Sequence, residues 1–282
     1  MTEKTAYDTL PFPGKKPNVI RECLKAGKIT RATRVFSSWP LITEIVGNTK
    51  KYDYIEFSIE YAPIDQYNME HICRAAELHG MGSIVKVDMP NRIFVAQKAI
   101  AAGFQGILFT DHKEADTVAA SIKGIRADSV LNELGGDFGY TMRRLIGYST
   151  GFSQTQFVEI LNDIVTLFMI EKKDAVDNID EICAVPGVDM IQFGPSDFSM
   201  SMGVDARNNG DTIRAAEEKC IKAALKYGVR PRCEIMNAEG AKRYIDLGVK
   251  DFNISGELWM LSQMWGKHAE DLCKVLEDNK LL

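Results

Sequence analysis

The chain has 282 residues, 45% hydrophobic and 26% charged, with a formal net charge of -5 and a pI near 5.5. These figures describe one large α/β domain or two small ones, and exclude a basic surface built for nucleic acid or an anionic membrane. The longest clean apolar stretch, Ile164 to Ile170, is strand-length, and the opening Met-Thr-Glu-Lys-Thr-Ala-Tyr-Asp lacks the apolar core of a signal peptide.

The expectation is a cytoplasmic protein. Its six scattered cysteines (Cys23, Cys73, Cys183, Cys220, Cys233 and Cys273) form no Cys-x-x-Cys pair and read as buried, reduced thiols. Residues 1–28 read as an N-terminal arm, irregular over 1–17, ahead of one domain spanning 29–282. Along that domain a helical pattern ends at a glycine and a β-branched or aromatic run follows within a few residues. This happens at Gly80, Gly103, Gly187, Gly228 and Gly248. Glycine just past a helix takes the left-handed conformation without a Cβ penalty, so these junctions mark repeated αβ units and a parallel sheet.

Strands are predicted near 34–38, 52–60, 83–88, 106–111, 164–171, 190–194, 230–236 and 252–255. Helices are predicted over 66–79 (with Asp65 as N-cap), 92–102, 115–125, 175–184, 212–227, 239–247 and 257–276. Eight β/α units without an interdomain linker predict a single (β/α)8 TIM barrel with a C-terminal helix, an α/β fold. The stretch 127–153 is too long for a plain turn and is expected to fold over a site or an interface.

In such a barrel, chemistry sits at the C-terminal ends of the strands. The residues expected there are Ser38, Glu60, Tyr61, Lys86, Asp88, Asp111, His112, Glu171, Asp197, Glu234 and Glu257. Acids outnumber bases, and a bound cation relieves such repulsion. Glu171 ends a run apolar on both faces, and Asp197 follows the turn Gly194-Pro195-Ser196. Carboxylates at successive strand ends suit a hard divalent cation with oxygen ligands, while the turn's amides suit a substrate carboxylate. Asp197 also reads as the N-cap of a short helix. Lys86 reads either as half of an internal ion pair or as the positive charge facing substrate. Tyr61 has too high an ordinary pKa for a base unless a cation lowers it, and His112 is a second candidate base. The chain has no Gly-x-Gly-x-x-Gly, Walker loop, Gly-x-Ser-x-Gly or His-Glu-x-x-His, which argues against nucleotide, hydride-transfer and serine-hydrolase chemistry.

Three segments carry a family resemblance: Tyr52-Asp-Tyr-Ile-Glu56 through Glu60-Tyr-Ala-Pro63, Ile170-Glu171, and Gly187-Val-Asp-Met-Ile-Gln-Phe-Gly-Pro-Ser-Asp-Phe-Ser-Met-Ser-Met-Gly203. The chain resembles the HpcH/HpaI family of class II, metal-dependent pyruvate aldolases from about Ile29 to about Leu272. That resemblance implies a (β/α)8 barrel, a hexamer with exchanged C-terminal helices, and Mg2+ or Mn2+ on Glu171 and Asp197. It also implies pyruvate carboxylate binding beside Gly194, Pro195 and Ser196.

The resemblance is to a divergent member. Tyr61 stands where the family has its catalytic histidine, Ser58 where it has the aspartate partner, Lys86 for an arginine and Met169 for a glutamine. The function so implied is a metal-dependent carbon–carbon lyase, aldolase or decarboxylase in type, acting on a 2-oxo acid through a metal-bound pyruvate enolate. Lys86 would supply positive charge and Tyr61 would handle the proton. A Schiff base on Lys86 is disfavoured because the acidic rim raises its pKa. The rival reading is a catalytically silent barrel that binds a 2-oxo acid or a protein partner. In either case the expected partners are a small 2-oxo acid and further copies of the chain, with neither nucleic acid nor membrane.

Overall fold

Period-two alternation and Gly-punctuated helices resolve, in a computed structural model, into a closed barrel of eight parallel strands in sequential order. The structure describes residues 17–62, 65–148 and 152–282; most of the N-terminal arm and Pro63 of the Glu-Tyr-Ala-Pro motif lie outside them. The strands are β1 (Thr30–Val35), β2 (Tyr54–Ser58), β3 (Gly82–Val87), β4 (Gly106–Phe109), β5 (Val165–Ile170), β6 (Met190–Phe193), β7 (Arg230–Ile235) and β8 (Asp251–Gly256). The helices are α1 (Val19–Lys25), α2 (Leu41–Asn48), α3 (Gln66–Leu78), α4 (Arg92–Ala102), α5 (Ala115–Ile125) and α6 (Gln154–Asn162). They continue with α7 (Lys173–Asp177), α8 (Ile179–Ala184), α9 (Pro195–Met202), α10 (Gly210–Lys226), α11 (Ala238–Asp246) and α12 (Glu257–Asp278). None of them is long and apolar enough to cross a membrane.

Strand parity sorts the core into two layers. Outward residues such as Val85, Ile107, Phe109, Phe168 and Ile191 pack under the helices. Inward residues Ala32, Tyr54, Ile84, Leu108, Val165, Leu167, Met169 and Met190 fill the barrel and meet Ile20 of α1. Both parities of β5 are therefore apolar, as its sequence showed. Helix α1 closes the barrel at the N-terminal ends of the strands, where the sequence reading placed an arm. The Asn18 amide donates to the Gln105 and Asp163 carbonyls at 2.7 and 2.8 Å, and Arg21 pairs with Asp189 at 2.5 Å.

Strand β1 begins four residues earlier than predicted, because Thr-Arg-Ala-Thr-Arg-Val carries no apolar run to announce it. The helix predicted over 175–184 is two, α7 and α8, broken at Asn178. Helices α1, α2 and α6 lie outside the predicted set, although Ser153 and Gln156 form a capping box that marks the start of α6; the short helix expected at Asp197 is present as α9. The described residues of the segment after α5 pack on the outer helices: Arg143 and Tyr148 bind Glu70 of α3, and Arg144 reaches Glu77 and the Ala102 carbonyl. Cys73, Cys183, Cys220 and Cys233 are buried; Cys23 is half-buried, and Cys273 is exposed on α12.

His112 is a packing residue. It lies edge-on to Phe109 and Phe168, with Thr117 Oγ1 3.0 Å from Nδ1 and Ser121 Oγ 3.1 Å from Nε2. Burial, helped by Arg92, lowers its pKa to about 4.

Two predictions test this frame. Ile20→Ala removes the plug side chain and should cost about 2–4 kcal/mol of unfolding free energy, read by chemical denaturation. For His112 the native state binds fewer protons than the unfolded chain between the ordinary imidazole pKa and about 4. Its contribution is thus complete above about pH 6.5 and is lost as pH falls toward 4, on the order of 3 kcal/mol in all. His112→Gln should flatten that part of the stability–pH curve; parallel curves for the two proteins would refute it.

Candidate active site

The barrel mouth gathers charged side chains that share the inward parity of the core. On one side, Glu56 of β2 is fully buried and accepts from Arg34 Nε of β1 at 2.9 Å, Arg232 of β7 at 2.6 Å and Ser58 Oγ at 3.1 Å. Arg232 also donates to Gln192 of β6, and Arg34 Nη2 reaches Glu234 at 2.6 Å. Burial opposes ionisation of Glu56, but Arg232 and Arg34 hold its carboxyl at about 2. The sequence reading missed Arg34, Arg232, Glu56 and Gln192. Arg232 alone had a local signal, charge at every second position of β7 (Arg230, Arg232, Glu234), the parity that faces inward.

Lys86, 3% exposed, projects from β3 into the same space. Its ammonium lies 2.5 Å from Glu60 Oε2 and 3.0 Å from the Tyr61 hydroxyl, and 4.7 Å from the centre of the Tyr61 ring. Burial alone would lower its pKa, but the hydrogen bonds to Glu60 and Tyr61 outweigh it and hold Lys86 above the usual lysine range. It is a permanent cation. Tyr61 is 57% exposed, and desolvation raises its phenol despite Lys86, so it stands as a neutral hydroxyl and not a base.

Across the mouth, Glu171 follows the last residue of β5 and is 2% exposed. Its Oε1 accepts from the Asp111 N–H at 2.9 Å. Asp111 takes the left-handed conformation, φ 62°, which is uncommon for any residue but glycine and asparagine-like side chains. Burial pushes the Glu171 carboxyl up to about 7; Asp111 and Asp197 add to the rise, and Lys86 and the Asp111 N–H oppose it. Gly194 abuts this carboxyl, since a Cβ there would lie 2.7 Å from Glu171 Cβ and 2.8 Å from Oε2.

Asp197 sits in the first turn of α9, whose N-cap is Gly194, so Asp197 is not the cap. The turn is also less open than expected. The Gly194 N–H bonds the Ile170 carbonyl at 3.0 Å and Pro195 has none, so the turn presents the first-turn amides of Ser196 and Asp197. The rim acids are not left to repel one another. Lys172 lies 2.7 Å from Asp111 and 3.2 Å from Asp197, Lys86 pairs with Glu60, and Arg34 with Glu234.

The donor set fits a hard cation in part. Glu171 is a buried carboxyl whose ionisation a cation would favour, and Asp197 is close enough to raise it. Among the described residues no three His, Cys, Asp or Glu side chains converge as a ready-made metal cage, so two protein carboxylates would share the ion with substrate oxygens or water.

Residues 36–250 match the HpcH/HpaI aldolase/citrate lyase family. The hydroxypyruvate/pyruvate aldolase of Paraburkholderia phytofirmans is 25% identical over 214 residues, 74% of this chain and 81% of that protein. The 5-keto-4-deoxy-D-glucarate aldolase of Klebsiella pneumoniae is 24% identical over 263 residues, 90% of this chain and 96% of that one. In fold, an HpcH/HpaI aldolase/citrate lyase family protein from Burkholderia cenocepacia superposes with a TM-score of 0.80 at 20% identity, covering 91% of this chain and 99% of the other. Matched over most of its barrel, with both carboxylate-bearing elements inside the matched span, the chain belongs to the HpcH/HpaI aldolase/citrate lyase family.

Proposed function

We propose that the protein is a divalent-metal-dependent carbon–carbon lyase acting on a 2-oxo acid, with Mg2+ or Mn2+ held by Glu171 and Asp197. Membership of a family of aldolases and citrate lyases supports a lyase, and the relatives' names support a 2-oxo acid as substrate. The observation that carries the reading is the convergence of a buried strand-end glutamate and a helix-first-turn aspartate beside a glycine that leaves room for nothing larger. A divalent ion there would act as a Lewis acid on the substrate's carboxylate and keto oxygens.

The chain's own residues then have separate tasks. The Ser196 and Asp197 amides, at the positive end of α9, take the substrate carboxylate. Lys86 presents a fixed positive charge to the keto oxygen as negative charge develops there, and Glu60 keeps that ammonium in place. Tyr61 holds a proton at its hydroxyl and can donate it to carbon or oxygen. Aldol cleavage requires a base to take a hydroxyl proton, and neither Tyr61 nor Lys86 is one. Loss of CO2 from a 2-oxo diacid begins without proton removal, so the site favours decarboxylation over aldol cleavage.

Helix α12 supports association with further copies of the chain. Over its length Leu258, Trp259, Met264, Trp265, Leu272 and Val275 are exposed.

Four measurements follow. Oxaloacetate should be turned over faster than a panel of 4-hydroxy-2-oxo acids, with activity removed by EDTA and restored by Mn2+; chelator-insensitive turnover would refute the metal's role. Glu171→Gln should lower kcat/KM by about 100-fold or more, the ~3 kcal/mol expected for loss of the ion. Gly194→Ala, whose backbone angles suit alanine, should displace Glu171 and lose at least about tenfold (~1.4 kcal/mol) in kcat/KM. Light scattering should give a multiple of the 31.5 kDa chain mass that falls in Trp259→Glu/Trp265→Glu protein.

A further inference from the structure

Lys172 is a charged residue of the rim to which the proposed chemistry gives no task. It follows Glu171 directly, yet it does not pair with it. Its ammonium bridges Asp111 Oδ1 at 2.7 Å and Asp197 Oδ1 at 3.2 Å. All three side chains are partly withdrawn from solvent, the lysine 17% exposed and the two aspartates 35% and 34%. A divalent ion on Asp197 needs the same carboxylate oxygens, and a lysine ammonium within hydrogen-bond distance of them is a tethered monovalent cation already in place.

Asp111 makes the arrangement more than a surface ion pair. In its left-handed conformation the backbone N–H points at Glu171 while the carboxylate holds Lys172. One residue thus grips both the buried carboxyl of the candidate metal pair and the ammonium that competes for the other carboxylate. The shorter of the two lysine contacts is the one to Asp111, which would remain if Asp197 were taken away.

We propose that Lys172 is an internal competitor of the divalent cation, bridging Asp111 and Asp197 in the metal-free protein and withdrawing to Asp111 alone when the ion occupies Asp197. Lys172 and Asp111 together therefore set the metal affinity. The inference rests on the reading of Glu171 and Asp197 as the metal pair, and the test separates the two.

The experiment is isothermal titration of the full chain with MnCl2. Lys172→Met should bind Mn2+ at least about tenfold more tightly than wild type, ~1.4 kcal/mol, while Lys172→Arg stays near wild type. Asp111→Asn, which leaves Lys172 to Asp197 alone, should weaken binding by a larger factor in the wild-type background than in the Lys172→Met background. This cycle also covers the case in which one variant folds poorly, because Lys172→Thr can replace Lys172→Met in it. No detectable binding by wild type with clear binding by Lys172→Met supports the inference in its strongest form. Equal affinities for wild type and Lys172→Met, or an equal Asp111→Asn effect in both backgrounds, overturn it while Glu171→Gln still abolishes binding and keeps the metal site. Binding by neither protein, or binding that survives Glu171→Gln, removes the metal site and the inference with it.

Discussion

Glu56 is the interaction around which the barrel is organised. A carboxylate with no solvent exposure is costly unless paired and fully bonded, and here two guanidiniums and a hydroxyl surround it. The pairing spans strands distant in sequence. Arg34 draws β1 to β2, Arg232 draws β7 across the interior, and the Arg232–Gln192 bond reaches β6. That last link matters because the β6–β7 ladder is short, with register pairs only at Met190–Arg230 and Ile191–Pro231, and Pro231 has no N–H to give. Side chains supply at this seam what the backbone does not.

The network also divides the interior by polarity. Apolar side chains fill the barrel on the side of β3 to β6 and down to α1, while β7, β8, β1 and β2 carry Arg232, Asn253, Arg34 and Glu56 inward. Lys86 on β3 and Glu171 directly after β5 stand at the mouth end of the apolar side. Each is a charge on a wall whose other residues are apolar, and each is therefore perturbed. Lys86 is kept charged by Glu60, whereas Glu171 has only a backbone donor and the more distant Lys86 to offset its burial. This contrast makes Lys86 a fixed charge and Glu171 a group that gains most from a bound cation.

Much of the frame was legible in the sequence because it obeys local rules. The five punctuating glycines all adopt positive φ, Asp65 caps α3 through the Tyr67 N–H, and α4 and α5 have the expected bounds. The apolar strands β3 to β6 were placed within a residue or two for the same reason. What was not legible depended on tertiary partners. Strand β1 and the inward arginines look like surface when read alone, since only the closed barrel shows that Arg34 and Arg232 share Glu56. The rim was expected to be rich in acids whose repulsion a cation relieves, because a linear reading cannot see Lys172 reach Asp111 and Asp197. His112 was weighed as a base, and only its contacts with Phe109, Phe168, Thr117 and Ser121 show it to be sealed away.

The left-handed backbone of Asp111 carries a cost of roughly 1–2 kcal/mol for a side chain with a Cβ. Glycine would relieve it and keep the N–H on Glu171, but would forfeit the carboxylate that holds Lys172. Asparagine would tolerate the angle and lose the charge. This position therefore cannot be optimised for stability without altering the rim, and a selection for thermostability alone would be expected to erode the site there first.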